Sequence, residues 1–441
     1  MPATLLNPTL SAVHKGFPHH SRPLPLQEIG QQGWNVLRGD LPFPIAVIRQ
    51  EALENNLRWM QNYARGQGVH LAPHGKTTLS PQLFRRQLDA GAWGMTVANV
   101  TQLQTALAAG ATNCLIANQV FAANDLAQID RLKRSHTGLR IVFLVDSLAQ
   151  LDLIEQAQPS AGAMAPGARF ASSGPLAPFE VLLEIGAAGG RTGCRTQAEA
   201  LQLARRINAS PAARLVGIEC YEGLGATGQH AADQAYASDL MQRVTAIAQA
   251  CDCDGLFEAK EVLVSAGGSG IFDLVAPHLK PALSRPVRGV LRSGCYVTHD
   301  QGSYQRLVGA VNTRLGCGDG LHAALEVWAA VQSRPEPGLA ILTVGKRDIS
   351  HDQSLPTVLR HCPRGAATVL TAPADWQVTA LNDQHAYLRS EPASFAGLAS
   401  LAVGDLLCLG LSHPCTTFDK WRWMPLVDER YNVVDAIVTC F

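Results

Sequence analysis

Between residues 69 and 291 the chain carries eight short, mostly apolar runs separated by stretches long enough for a helix. The runs are Val69–Ala72, Trp93–Ala98, Cys114–Ala117, Ile141–Val145, Val181–Ile185, Leu215–Cys220, Val262–Ser265 and Gly289–Leu291. Amphipathic patterns lie between them at Pro81–Ala90, Thr101–Ala109, Ala123–Lys133, Leu148–Gln156, Thr196–Ile207 and Ala231–Ala250. Parallel strands need helix-sized crossovers and are covered on both faces, so they read as continuous apolar runs. Eight is the number that closes such a sheet, so the expected fold class is α/β with a (β/α)8 TIM-type barrel. An open doubly wound sheet is the alternative architecture.

The rest of the chain divides around that core. Residues 1–40 carry prolines at Pro2, Pro8, Pro18, Pro23 and Pro25, which forbid long helices and predict an irregular N-terminal extension. Residues 41–69 hold a β-rich run, Phe43–Arg49, expected to join a β domain, then a helix from Glu51 to about Arg65. The barrel is expected over 70–300, with Gln158–Pro178, rich in Ala, Pro, Gly and Ser, as a surface insertion. After Gly302 the helix-sized gaps largely disappear. Runs at Leu339–Val344, Ala367–Thr371, Trp376–Leu381, Leu406–Leu411 and Val433–Val438 predict an antiparallel β domain over 301–441.

Composition excludes several partners. Lys+Arg and Asp+Glu both number 36, so the basic excess of a nucleic-acid binder is missing. No apolar run approaches the ~20 residues that span a bilayer. Eleven irregularly spaced cysteines do not form a disulfide framework, and the first residues lack the layout of a secretory signal. Reduced thiols in a cytoplasm are the expectation.

Four constellations carry chemistry. Lys76, in Pro73-His74-Gly75-Lys76, stands just past the first strand, at the barrel face where active sites sit. A partly desolvated lysine there can join a carbonyl cofactor; a surface loop lysine is the plain alternative. Ser265-Ala266-Gly267-Gly268-Ser269-Gly270 follows the seventh strand, where barrels often hold a phosphate on backbone N–H groups. His413-Pro414-Cys415 would face one side of an extended segment and offer a metal an N,S pair, which favours zinc. The turn Gly189-Gly190-Arg191-Thr192-Gly193 could bring a guanidinium over the barrel mouth.

These residues resemble a known family. PHGKTTLSPQLFRRQLDAGAWGMTVANVTQLQTALAAGATNCLIANQV is similar to the lysine-bearing segment of the D-serine dehydratase / D-threonine aldolase family. Those are fold-type III pyridoxal-phosphate enzymes with an alanine racemase-like barrel. The likeness continues, in the family's order, through FPIAVIRQEALENNLRWM, GGRTGC, SAGGSGIFD, RSGCYVTHD and VGDLLCLGLSHPCTTFDKW. It covers roughly residues 42–441. It implies pyridoxal 5'-phosphate held in a Schiff base by Lys76, with Gly267, Gly268 and Ser269 on the phosphate. It further implies Arg191 near the cofactor ring, Tyr221 along its edge, and Tyr296 near the phosphate or substrate. His413 and Cys415 would bind a divalent metal, zinc before manganese or magnesium, at the substrate's β-hydroxyl. A head-to-tail homodimer is implied as well. The chain departs from the family at Ala72 (usually arginine), at Thr78 and Leu79 (usually histidine and lysine), at Thr343 (usually aspartate) and at Asn382-Asp383-Gln384-His385, where a more acidic pair usually precedes the histidine.

The activity so implied is a metal-assisted lyase that turns a D-β-hydroxy-amino acid such as D-serine or D-threonine into a 2-oxo acid and ammonia. An aldolase releasing glycine and an aldehyde uses the same parts. In the family, dehydratases tend to carry His-x-Cys and aldolases His-x-Asp, so Cys415 favours the dehydratase. A racemase would leave the metal pair without a task, and a non-catalytic cofactor carrier would need neither that pair nor the β domain.

Overall fold

The structure, a computed structural model, describes residues 5–157, 177–390, 398 and 400–441. All of the expected insertion except Ala177 and Pro178 lies outside the described residues.

The eight runs form eight parallel strands: His70–Leu71, Met95–Val97, Asn113–Gln119, Arg140–Val145, Phe179–Ile185, Ala213–Cys220, Val262–Ala266 and Val287–Leu291. The first strand pairs with the eighth, in the register Val290 with His70 and Leu291 with Leu71. On its other side it meets the second through a His74–Thr96 bridge and through Trp93 N–H, which donates to the Leu71 carbonyl at 2.8 Å. The sheet therefore closes into a nearly complete barrel, not an open doubly wound sheet.

Side-chain alternation explains why every run is apolar throughout. Val142 and Leu144 point inward and pack with Ala72, Leu115, Leu182, Val216, Leu263 and Val290 to plug the barrel. Ile141, Phe143 and Val145 point outward to the helices. The helices begin where the chain offers caps. Ser80 accepts from Leu83 N–H ahead of Pro81–Asp89, and Thr196 with Glu199 makes a capping box ahead of Gln197–Asn208.

The C-terminal region is an antiparallel sheet that curls on itself. Leu325–Glu336 pairs with Leu339–Leu342 on one side and Leu406–Gly410 on the other, and Thr357–Cys362, Gln377–Leu381 and Ala386–Arg389 complete the ring. Ile45–Arg49 enters this sheet, antiparallel to Leu325–Glu336 and parallel to Trp423–Val427. A long helix escaped the sequence reading: Ser303–Leu315 lies in the region read as β. Its pattern is weak because only Val308 and Val311 are buried; it ends where Gly316 adopts a left-handed φ of 62°.

The N-terminal segment is irregular, but it is packed. Thr9–Leu10 pairs with Leu24–Pro25. Phe17 is fully buried edge-on to Trp34 and Trp423, at 5.5 and 5.6 Å. Trp423 Nε1 donates to the Lys15 carbonyl at 2.9 Å. Among the described residues no helix is long and apolar enough to cross a membrane.

Candidate active site

The C-terminal ends of the barrel strands surround a cavity of about 190 Å³, and one side of it is walled by the β region. Lys76 reaches it from the single turn Gly75–Thr77, which directly follows the first strand. Its backbone N–H donates to His74 Nδ1 at 3.4 Å. That nitrogen must therefore be unprotonated. Burial, and then the charges of Lys76, Arg292 and Arg191, hold His74 well below the usual histidine pKa. Lys76 itself is exposed toward the cavity.

The glycine loop lines the same cavity. Gly267 sits at φ +108°, a conformation closed to most side chains, and a Cβ on it would run into Leu291 and the backbone of Arg292. Glycine is needed there for the close approach. The N–H groups of Gly267 and Gly268 converge on one carboxylate, that of the buried Glu222. The loop is thus an anion cradle by its observed partner, although two of its donors are engaged from within the chain. Ser269 is half-buried and also lines the cavity.

The side wall comes from the fifth and sixth strands. Arg195 clamps the Gly189–Gly193 turn through the carbonyls of Gly190 at 2.6 Å and Gly193 at 2.9 Å. This places the Arg191 guanidinium over the Tyr221 ring at 5.4 Å. Thr192 donates to Glu184 at 2.6 Å, and Gln119 donates to the same carboxylate.

The floor carries a buried ion pair. Arg292 donates to Glu219 and, at 2.8 Å, to the Cys220 carbonyl. Burial pushes the Glu219 carboxyl up to about 7 against the pull of Arg292, with Glu184 and Glu222 adding to the rise.

The β region supplies His413 and Cys415. They do not lie on an extended segment as the sequence reading assumed: Pro414 takes helical angles and Cys415 opens a single turn, Cys415–Phe418. Both side chains still line the cavity. His413 Nδ1 is fixed by Asp352 at 2.6 Å, and Asp352 is fixed by Thr416 at 2.7 Å, so His413 Nε2 is the nitrogen left for a ligand. Among the described residues no three His, Cys, Asp or Glu side chains already converge as a metal cluster.

Of the sequence-named residues, Lys76, Arg191, Tyr221, Gly267, Gly268, Ser269, His413 and Cys415 come together here. Tyr296 does not line the cavity; it is buried, with Gln87 donating to its hydroxyl at 3.2 Å. Tyr304, from the first turn of the helix that escaped notice, lines the cavity instead. His74, Glu184, Glu219, Arg292 and Cys295 were also missed. Their signal was positional: Glu184, Glu219 and Arg292 each fall within a residue or two of a strand's C-terminal end.

Comparison with known proteins agrees with this fold. The alanine racemase N-terminal domain model matches residues 48–284, more than half of the chain, and a serine dehydratase domain model matches 324–427. The chain is 27% identical to a D-threonine aldolase of Arthrobacter sp. over 94% of its own length and 96% of the relative's. It is 28% identical to a D-threo-3-hydroxyaspartate dehydratase of Delftia sp. (strain HT23), over 86% and 92%. In fold it resembles the crystal structure of a D-threonine aldolase from Filomicrobium marinum, with a TM-score of 0.72 at 24% identity, covering 92% of this chain and 97% of that one. With an alanine racemase-type barrel and a C-terminal sheet that both match, the chain belongs to the D-serine dehydratase / D-threonine aldolase-like family.

Proposed function

We propose that this chain is a pyridoxal-phosphate- and metal-dependent lyase that converts a D-β-hydroxy-amino acid to a 2-oxo acid and ammonia. One observation carries the reading: Lys76, an anion cradle and the His413/Cys415 pair all line a single cavity. The residues fit the cofactor, since the glycine loop receives a carboxylate oxyanion on backbone N–H groups and Lys76 lines the same cavity. The donor set fits a borderline-soft cation, because an imidazole and thiols face the same space. We also read 70–300 as the cofactor-binding barrel, 301–441 as the β domain that brings the metal pair, and the assembly as a homodimer.

Pyridoxal phosphate, when bound, supplies an electron sink for charge developing at the substrate's Cα. A divalent cation on His413 and Cys415 would supply Lewis acidity at the β-hydroxyl. Lys76 Nζ takes the Cα proton, from a position at the mouth of the first strand. Arg191 and Tyr221, packed on each other, would border the cofactor ring, while Arg292 and Glu219 pair as a polar part of the cavity wall. Hydroxide leaves Cβ, and the released enamine becomes an imine that water hydrolyses to the 2-oxo acid and ammonia.

The second reading is an aldolase that cleaves Cα–Cβ to give glycine and an aldehyde. It is favoured by the name of the Arthrobacter relative, which the chain matches over nearly its full length. Cys415 speaks for the dehydratase. Incubation with a panel of D- and L-β-hydroxy-amino acids decides: 2-oxo acid from the D-series is expected. Aldehyde with glycine would establish the aldolase instead.

A further inference from the structure

Cys415 does not stand alone in the cavity wall. Its Sγ lies 3.7 Å from Sγ of Cys295, a residue 120 positions earlier in the chain. The Thr77 hydroxyl touches both sulfurs, at 3.4 Å from Cys295 and 3.5 Å from Cys415. Cys295 comes from the turn after the eighth barrel strand, and Cys415 from the loop after Leu406–Gly410.

A buried cysteine that serves packing sits among aliphatic groups. Cys295 has polar company instead: the Thr77 hydroxyl and Cys415 contact its sulfur, and Ser269 and Tyr304 line the same cavity. The separation itself is informative. Zinc binds thiolate sulfur at about 2.3 Å, so two sulfurs on one tetrahedral zinc stand about 3.8 Å apart. A disulfide needs about 2.05 Å. The observed 3.7 Å matches the edge of a zinc–thiolate tetrahedron before any metal is placed.

We propose that Cys295 is a metal ligand in its own right, forming with Cys415 a dithiolate edge for one zinc ion whose other positions fall to His413 and the substrate's hydroxyl. The proposal rests on the metal reading given under Proposed function. It has a consequence for selectivity: two thiolates hold the site for zinc, cobalt or cadmium, and magnesium is disfavoured by the donor set as a whole, not by Cys415 alone.

Zinc K-edge X-ray absorption on the zinc-loaded holoenzyme, kept reduced with a phosphine, counts sulfur neighbours without interference from the cofactor. Two sulfurs at about 2.3 Å are expected in the wild type and one in Cys295→Ser. Cys295→Ser should also lose zinc to a competing chelator on the order of tenfold more readily, with the cofactor's visible band unchanged. One sulfur in the wild type overturns the proposal while leaving the His413/Cys415 site in place. Wild-type protein that binds no zinc at all overturns that site as well. If Cys295→Ser fails to fold, the wild-type count still decides, and Cys415→Ser, expected to retain one sulfur, provides the second arm.

Discussion

The carboxylate of Glu222 accepts the backbone N–H groups of Gly267, at 2.9 Å, and of Gly268. An acid thus holds the shape of the loop that we propose holds another acid, the cofactor phosphate. Each buried N–H left without a partner costs about 1–3 kcal/mol. Glu222→Ala should therefore lower the melting temperature and weaken cofactor binding by at least about tenfold, and Glu222→Gln, which retains one acceptor, should do less of both. Titration of the cofactor-free protein with pyridoxal phosphate measures it. Tighter binding in Glu222→Ala would identify the carboxylate as a competitor of the phosphate.

Lys76 is the lysine on the cavity wall, whereas Lys420 lies 3.5 Å from Asp419. Borohydride reduction of the holoenzyme and peptide mapping should place the pyridoxyl group on Lys76, not on Lys346 or Lys420. Lys76→Ala should abolish the visible band of the bound cofactor and lower turnover by about 10²–10⁴, the range for loss of a positioned base.

The Glu219 carboxyl, raised by burial to about 7 from an ordinary 4.5, gives the fold a pH signature. A group whose folded pKa exceeds its unfolded one stabilises in its protonated form. That contribution is complete below about 4.5 and is lost as pH rises through about 7. The melting temperature should accordingly decline from pH 5 to pH 8 more steeply in the wild type than in Glu219→Gln. Parallel calorimetric profiles would show that Arg292 keeps the carboxyl ionised throughout.

His413 is aimed by Asp352, as metal-binding imidazoles commonly are by a carboxylate. Chelation or His413→Ala should reduce elimination more than about 100-fold and leave the cofactor's visible band intact. Asp352→Asn should weaken metal binding about 10- to 100-fold, read by metal competition. Elimination at full rate in verified metal-free protein would remove the metal from the reaction.

The barrel was legible because parallel strands covered on both faces must be apolar throughout, as in Arg140–Val145. Lys76, the glycine loop and the His413/Cys415 pair were legible because each has a local motif. What escaped was what only closure creates. Glu184, Glu219 and Arg292 stand at the ends of three different strands and acquire partners when the sheet becomes a barrel. Cys295 had no pattern to mark it until Cys415 arrived beside it. The helix Ser303–Leu315 buries too little to announce its period.

The strand Ile45–Arg49 lies between Leu325–Glu336 and Trp423–Val427, so it is an interior strand of a sheet completed only by residues far later in the chain. Throughout synthesis both of its edges await residues not yet translated, and with them an apolar stretch prone to pair with other chains. The barrel helices can coil locally as they emerge, but Ile45–Arg49 lacks its second neighbour until residue 427 is free. Truncation near the C-terminus would therefore undo the chain at its opposite end, exposing Ile45–Arg49 and loosening Phe17 from Trp423.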